Sequence, residues 1–126
     1  MGEQGRRERG VEMIRKVYAG EVAVPPEGAS DFADLMLEQL FAEVWTREAL
    51  PVRDRRLLIM GVIGALGERD TWKIQVRAAL KNGELTEAQV RELVITLAQY
   101  AGYPRAAGLV AATEEAIASA RDASSG

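Results

Sequence analysis

The sequence of 126 residues contains neither cysteine nor histidine. Without cysteine the chain cannot form disulfides or use a thiol as a nucleophile, and without either residue it lacks the usual zinc ligands. The absence of histidine also removes the side chain that titrates closest to neutrality. Any proton transfer near pH 7 would therefore have to use Glu, Asp, Lys, Tyr or water.

Long apolar runs and an excess of positive charge are also missing. The longest apolar run covers residues 57–66, well short of the roughly 20 residues that a membrane helix needs. The charged start does not resemble a secretory signal. A net charge of −3 argues against a nucleic-acid partner, which usually requires a basic face. We expect a cytoplasmic protein that binds neither membrane nor nucleic acid and forms one domain over residues 1–126.

Helical periodicity dominates what is present, because apolar residues recur at spacings of three and four and no stretch alternates like a strand. The sequence predicts an all-α fold with about six helices. The predicted helices cover residues 5–19, 31–45, 52–66, 70–82, 87–101 and 104–120, followed by a frayed tail at 122–126. Ser30 and Asp70 are predicted N-caps, and Thr86 with Gln89 forms a capping box. Because the third helix is nearly all apolar after Arg56, it is predicted to be the most buried.

An amide interrupts the apolar face of the fourth predicted helix. Trp72, Val76 and Ala79 share that face, and Gln75 borders it. A buried amide must find hydrogen-bond partners or cost about 1–3 kcal/mol. Two interpretations stay open: Gln75 is a satisfied amide at a helix or subunit contact, or it faces a ligand cavity.

Arginines crowd the first turn of the third predicted helix, where positive charge opposes the helix dipole. One of them, Arg55, begins a helical row that is otherwise apolar. The row consists of Arg55, Ile59, Val62 and Leu66. A guanidinium that leans toward the interior needs an anion. That anion is either Glu43 or Glu92 in a salt bridge, or the carboxylate of a substrate.

Polar side chains follow one flank of the fifth predicted helix at four-residue spacing. They are Glu92, Thr96 and Tyr100, with Gln99 as an alternative to the last. This flank is either a solvated or subunit-facing edge, or the wall of a pocket in which Glu92 orients a substrate or moves a proton. Both tryptophans are expected in a core or an interface rather than against a ligand.

The order of Glu43, Trp45, Arg47 and Arg55 ahead of an apolar helix resembles the carboxymuconolactone decarboxylase family. Residues 77–83, 86–92 and 100–104 extend this resemblance over most of residues 7–118. It implies an alkylhydroperoxidase-like helical fold that assembles into homotrimers or homohexamers, with a cavity between helices near a subunit contact. It also implies decarboxylation of a carboxylated lactone without metal or organic cofactor. A sister branch of thiol peroxidases uses a Cys-x-x-Cys pair, which this chain lacks.

The chain departs from the family pattern at the fourth helix, where Gln75 stands in place of the namesake histidine. A second polar position, often Gln or His in the family, is Thr96 here. Glutamine donates and accepts hydrogen bonds but does not exchange a proton near pH 7. The resemblance therefore implies a site that retains the residues for binding a carboxylate but has changed the residue for proton transfer. The predicted catalytic residues are Glu43, Gln75 and Glu92, and the predicted substrate-binding residues are Trp45, Arg55, Thr96 and Tyr100.

Two kinds of function follow. The first is a cofactor-independent acid–base enzyme that decarboxylates, isomerises, eliminates or cyclises a small carboxylated or enolisable substrate in a catabolic or biosynthetic pathway. Arg55 would hold a carboxylate, Gln75 and Tyr100 would donate to developing negative charge, and Glu92 or Glu43 would move the proton. The alternative is a non-catalytic ligand-binding or scaffold member of the family. Loss of the histidine favours that alternative, whereas the retained charges favour the enzyme.

Overall fold

A computed structural model describes residues 3–125, and all regular structure in this range is helical. The elements are α1 (Glu3–Tyr18), α2 (Asp31–Leu35), a π-helix (Met36–Val44), α3 (Val52–Ala65), α4 (Arg69–Lys81), α5 (Glu87–Ala101) and α6 (Tyr103–Ser125). The predicted all-α class is confirmed. Contacts within the chain group into one compact unit that ends at Arg55 and a second that begins at Arg56.

In the first unit, α1 packs against the π-helix at very short range. Gly10 makes this possible, since a Cβ built there would lie 2.0 Å from the carbonyl oxygen of Leu37. Phe41 lies between two other rings, edge-on to Tyr18 at a centroid distance of 5.8 Å and stacked on Trp45 at 6.3 Å. A glycine and an aromatic cluster therefore join α1 to the π-helix.

The predicted second helix starts as expected but changes its hydrogen-bond pattern. Ser30 caps it, with its hydroxyl accepting from the Ala33 N–H at 3.1 Å. From Met36 the segment is π-helical rather than α-helical, so the prediction of a continuous α-helix over 31–45 was wrong. Each π-turn holds more residues than an α-turn, and the predicted inward face splits. Leu37 and Phe41 are buried, whereas Leu40 and Val44 are 41% and 42% exposed.

In the second unit, α6 packs against both α4 and α5. The core contains Trp72, Val76, Val90 and Leu109, all without solvent exposure. The indole Nε1–H of Trp72 donates to the Thr113 hydroxyl at 2.8 Å, which satisfies its polar atom inside the core. No helix in the part of the chain that the structure describes is long and apolar enough to cross a membrane.

Helix ends agree with the sequence best where a side chain caps the helix. The capping box is confirmed, because the Gln89 N–H donates to the Thr86 hydroxyl at 3.1 Å and the Thr86 N–H donates to the Gln89 side chain at 2.9 Å. Asp70 is not an N-cap: α4 begins one residue earlier, with Glu68 in the cap position. Helix α6 extends to Ser125, beyond its predicted end at residue 120.

The third helix is not the most buried one, contrary to the prediction. Leu58, Val62 and Leu66 are 64%, 56% and 61% exposed. Its buried row is Arg56, Met60 and Gly64, one position further along than the row that was predicted to begin with Arg55. An almost uniformly apolar helix gives no contrast between its faces, so the sequence could not indicate which row turns inward.

Candidate active site

The second unit encloses a polar cluster of Arg56, Gln75 and Glu84. Arg56 and Gln75 have no solvent exposure. The Arg56 Nε–H donates to Glu84 Oε1 at 2.5 Å, and its Nη2–H donates to Glu84 Oε2 at 3.2 Å. Its Nη1–H donates to Gln75 Oε1 at 2.7 Å. Two of the three members, Arg56 and Glu84, were not among the residues predicted from the sequence.

A tight turn after α4 brings Glu84 to the buried arginine. Gly83 adopts a φ of +69°, which favours glycine, and the Glu84 N–H donates back to the Ala79 carbonyl at 2.9 Å. The Asn82 side chain donates to Glu84 Oε2 at 3.1 Å. The short segment Asn-Gly-Glu therefore ends the helix and also supplies a counter-ion. The signal in the sequence was an acidic residue directly after the predicted helix stop.

The amide of Gln75 has a fixed orientation. A guanidinium only donates hydrogen bonds, so the amide oxygen must be the atom that faces Arg56 and Nε2 must point elsewhere. That Nε2 is buried and has no acceptor among residues 3–125, which the structure describes. Half of Gln75 is thus satisfied, as the first interpretation of its amide expected. The other half is an oriented N–H donor, and leaving such a group unpaired costs about 1–3 kcal/mol.

Arg55 belongs to the first unit. Its Nη2–H donates to the backbone carbonyl of Arg47 at 3.0 Å. Its Nε is buried and finds no acceptor in the described part of the chain. The Arg55 guanidinium is thus satisfied at Nη2 and unpaired at Nε within the described residues.

Glu43 and Trp45 also lie in the first unit. The Glu43 carboxylate accepts from the Arg9 Nη2–H at 3.0 Å and lies 3.2 Å from the Arg6 Nε. Trp45 is buried and stacks on Phe41, as expected of a core tryptophan. Glu43 is thus paired with two arginines of α1, and the sequence did not predict this pairing.

The predicted polar flank of α5 lies at the surface of the second unit. Glu92 and Thr96 are exposed, and Tyr100 is 90% exposed. The Thr96 hydroxyl donates to the Glu92 backbone carbonyl at 3.1 Å, within the same helix. In a single chain this flank is therefore open to solvent, whereas Gln75 is fully buried.

A groove of about 360 Å³ runs between α5 and α6. Its walls are mostly apolar and include Val94, Ile95, Ala98, Ala106 and Val110. Four of its polar side chains are paired with each other: the Gln99 amide donates to the Tyr103 hydroxyl at 2.7 Å, and Arg91 donates twice to Glu114, at 2.9 Å each. The hydrogen bond from Arg91 lowers the pKa of Glu114. Unlike Gln75, these groups leave no buried donor unpaired.

Comparisons with known proteins agree on one family. Residues 30–115, which include all three members of the buried cluster, match the Carboxymuconolactone decarboxylase family. A 4-carboxymuconolactone decarboxylase from Acinetobacter baylyi is 33% identical over 85 residues, covering 68% of this chain and 63% of the relative. Nitrosuccinic acid decarboxylase npaB from Metarhizium robertsii is 32% identical over 87 residues, covering 67% and 58%. The chain thus spans less than two thirds of the length of either curated relative.

Proposed function

The chain belongs to the carboxymuconolactone decarboxylase family, and on that basis we propose that it is an enzyme that decarboxylates a small organic acid. Two relatives carry the names of decarboxylases for two different acids. A shared reaction type with differing substrates is common among proteins of one fold, because substrate choice depends on the side chains of the site. The resemblance further implies a reaction without metal or organic cofactor, and the proposal keeps this expectation.

The observation that carries the proposal is the unpaired N–H of Gln75, buried and oriented by Arg56. In a decarboxylation the bond to the carboxylate carbon breaks, CO₂ leaves, and the electron pair stays on the substrate. A preorganised donor aimed at the oxygen that receives this charge stabilises the transition state. Gln75 has that character, although it cannot deliver the proton that the product needs.

The remaining predicted residues keep their roles as part of the proposal. Arg55, whose Nε is unpaired among the described residues, would hold the substrate carboxylate, and Trp45, Thr96 and Tyr100 would contact the rest of the substrate. Glu43 or Glu92 would supply the proton. Because the flank with Glu92 is exposed in a single chain, it would become the wall of a site only when another subunit covers it.

Self-association is therefore part of the proposal. Leu58 and Val62 on α3 and Leu66 directly after it are exposed, and a contiguous exposed apolar patch can mark an interaction surface. We propose that copies of this chain cover such faces in a homotrimer or a homohexamer, as the resemblance implies.

One observation favours the second candidate function, a ligand-binding or scaffold protein without catalysis. The charge of Arg56 is already balanced by Glu84 through two hydrogen bonds. A buried pair of this kind is sufficient to hold α3, α4 and the following turn together without any chemistry.

The test is CO₂ release from a panel of small carboxylic acids that includes 4-carboxymuconolactone and nitrosuccinate. With an acid that is turned over, we expect Gln75→Leu to lower kcat about 10²–10³-fold, the usual effect of removing one such donor. Gln39→Leu, which alters an exposed amide of the π-helix, is the control and should leave kcat unchanged. Binding of these acids to folded protein without CO₂ release would support the second candidate. Unchanged kcat in Gln75→Leu would remove Gln75 from the mechanism.

A further inference from the structure

We infer that the groove between α5 and α6 binds an uncharged, mostly apolar small molecule and holds one of its carbonyl oxygens on the Thr113 hydroxyl. The groove has a volume of about 360 Å³, which lies at the lower end of the range for small-molecule sites. Its lining includes no member of the cluster of Arg56, Gln75 and Glu84. The site is therefore additional to the proposed decarboxylation, and it suits a compact ketone or ester.

The hydroxyl of Thr113 is the polar group that would orient the ligand. Thr113 lines the groove and is 1% exposed. Its Oγ1 accepts from the Trp72 indole at 2.8 Å, and its hydroxyl hydrogen has no acceptor among residues 3–125, which the structure describes. By contrast, the Thr96 hydroxyl donates to the Glu92 carbonyl of its own helix. Because a buried donor without an acceptor is unfavourable, a ligand oxygen in the groove would complete the hydrogen bonding of Thr113.

The remaining polar side chains of the lining favour an uncharged ligand. Arg91 and Glu114, the charged residues of the lining, are joined by two hydrogen bonds of 2.9 Å each. An anion or a cation would have to break this pair to gain a counter-ion. The Gln99 amide and the Tyr103 hydroxyl are also bonded to each other, at 2.7 Å. A neutral molecule can enter without disturbing either pair.

Apolar contact would supply most of the binding free energy. The groove is open because small residues line it, with Ala98 on α5 and Ala106 on α6 both buried. Ile95 and Val110 line it as well and are 56% and 55% exposed. A ligand that covers these two side chains removes apolar surface from water, which favours binding.

The experiment compares two probes, α-tetralone and tetralin, which share a two-ring carbon skeleton and differ in one carbonyl group. The reporter is the indole N–H resonance of Trp72 in the full ¹⁵N,¹³C-labelled chain. The sequence contains two tryptophans, so Trp72→Phe assigns this resonance, and the indole of Trp45 is an internal control. Hydrogen bonds in a chain polarise one another, so a ketone that accepts from Thr113 should strengthen the bond from Trp72 to Thr113.

We therefore expect both probes to shift the methyl resonances of Ile95 and Val110, and only α-tetralone to move the Trp72 indole proton downfield. The indole resonance of Trp45 should stay in place with either probe. This measurement needs no substitution at Thr113, so it decides the inference in the wild-type chain.

Two substitutions at Thr113 test the hydroxyl directly. Thr113→Val removes it and should raise the Kd of α-tetralone about three- to tenfold, the usual value of one hydrogen bond, without weakening tetralin. Thr113→Ser keeps a hydroxyl and should keep the indole response to α-tetralone. If Thr113→Val does not fold, the indole response of the wild-type chain decides alone.

A matched pair of alanine substitutions on α6 tests the location. Ala107 is exposed and lines the groove, so Ala107→Phe should fill the space and abolish the response to both probes. Ala118 is exposed and does not belong to the lining, so Ala118→Phe should bind both probes like wild type.

Three results would overturn the inference. The first is that α-tetralone leaves the Trp72 indole unmoved at saturation or moves it no further than tetralin does. The second is that neither probe shifts the methyl resonances of the groove up to its limit of solubility. The third is a lower sedimentation coefficient of Ala107→Phe relative to wild type and Ala118→Phe, which would show that another copy of the chain fills the groove.

Discussion

At the scale of single residues, the buried ion pair of Arg56 and Glu84 predicts an asymmetry between single and double substitutions. Glu84→Leu removes the carboxylate that accepts two hydrogen bonds from the fully buried Arg56, and we expect it to lower the free energy of unfolding by about 3–5 kcal/mol. Arg56→Met combined with Glu84→Leu removes both charges and should be more stable than Glu84→Leu alone. Urea denaturation of the single and double variants measures this coupling.

The exposed pair of Arg91 and Glu114 is the control for that cycle, because its side chains are about half exposed. Replacing these two residues singly or together should change stability little, since solvent screens the interaction. A double variant of the buried pair that is as unstable as the sum of its singles would show that the two charges are not coupled.

The same exposed pair predicts a dependence of stability on pH. The hydrogen bond from Arg91 holds the pKa of Glu114 below its ordinary value of 4.5. A carboxyl group with a lowered pKa in the folded state stabilises the fold above its unfolded-state pKa, and loses that contribution as pH falls through the folded-state pKa. The stability difference between wild type and Glu114→Gln should thus be constant above about pH 4.5 and shrink below it. Denaturant titrations from pH 7 to pH 2.5 measure this, and a difference that stays constant throughout would contradict it.

The sequence was informative about Gln75 and uninformative about its two partners, for physical reasons. An amide beside an apolar helical face is visible as a break in a pattern. Arg56 was not distinguishable from Arg55, because the inward row of α3 depends on packing rather than on its own composition. Glu84 lies in a turn, where charged residues are expected to be solvated, and the turn at Gly83 that directs it inward is set by backbone geometry and hydrogen bonds.

At the scale of the elements, two glycine substitutions should have opposite effects on stability, because one glycine lies at the close contact between α1 and the π-helix and the other has open space around it. Gly10→Ala would place a Cβ 2.0 Å from the Leu37 carbonyl oxygen, and overpacking of this kind costs about 1–3 kcal/mol. Gly61→Ala, inside α3, meets no atom of the described residues within 4 Å, and alanine should stabilise a helix there by up to about 1 kcal/mol. Thermal or urea unfolding compares the two, and a stabilising Gly10→Ala would rule out the close approach.

The π-helix was beyond sequence prediction because α- and π-helices draw on the same local preferences and differ in which backbone groups pair. The capping box at Thr86 was predictable because one side chain and one backbone group, three residues apart, determine it. Local features of this chain are thus readable from its sequence, whereas features set by the packing of α1 against Met36–Val44 are not.

At the scale of the whole molecule, the ordered set of motifs indicated the family and its all-helical class. These motifs are distributed along the chain, so a wrong prediction for one helix end or one helix face does not change the assignment. The assembly of subunits is a different kind of property. It depends on which apolar side chains a folded chain leaves exposed, and two of the exposed side chains, Val62 and Leu66, belonged to the row that was predicted to face inward.

That row supplies the last prediction. Leu58, Val62 and Leu66 are each more than half exposed in the single chain, and fully burying such a side chain is worth about 1.5–3 kcal/mol. If copies of this chain cover the row, Val62→Glu should place a charge in the interface and shift the protein to a smaller species in sedimentation velocity, with its helical content unchanged.

Ala118→Glu, at an exposed position of α6, is the control and should leave the assembly intact. A wild-type chain that sediments as a monomer at high concentration, or a Val62→Glu variant that sediments like wild type, would show that this row is not the contact. Because the proposed site wall on α5 needs a covering subunit, CO₂ release should fall with the fraction of assembled protein in Val62→Glu and stay at the wild-type level in Ala118→Glu.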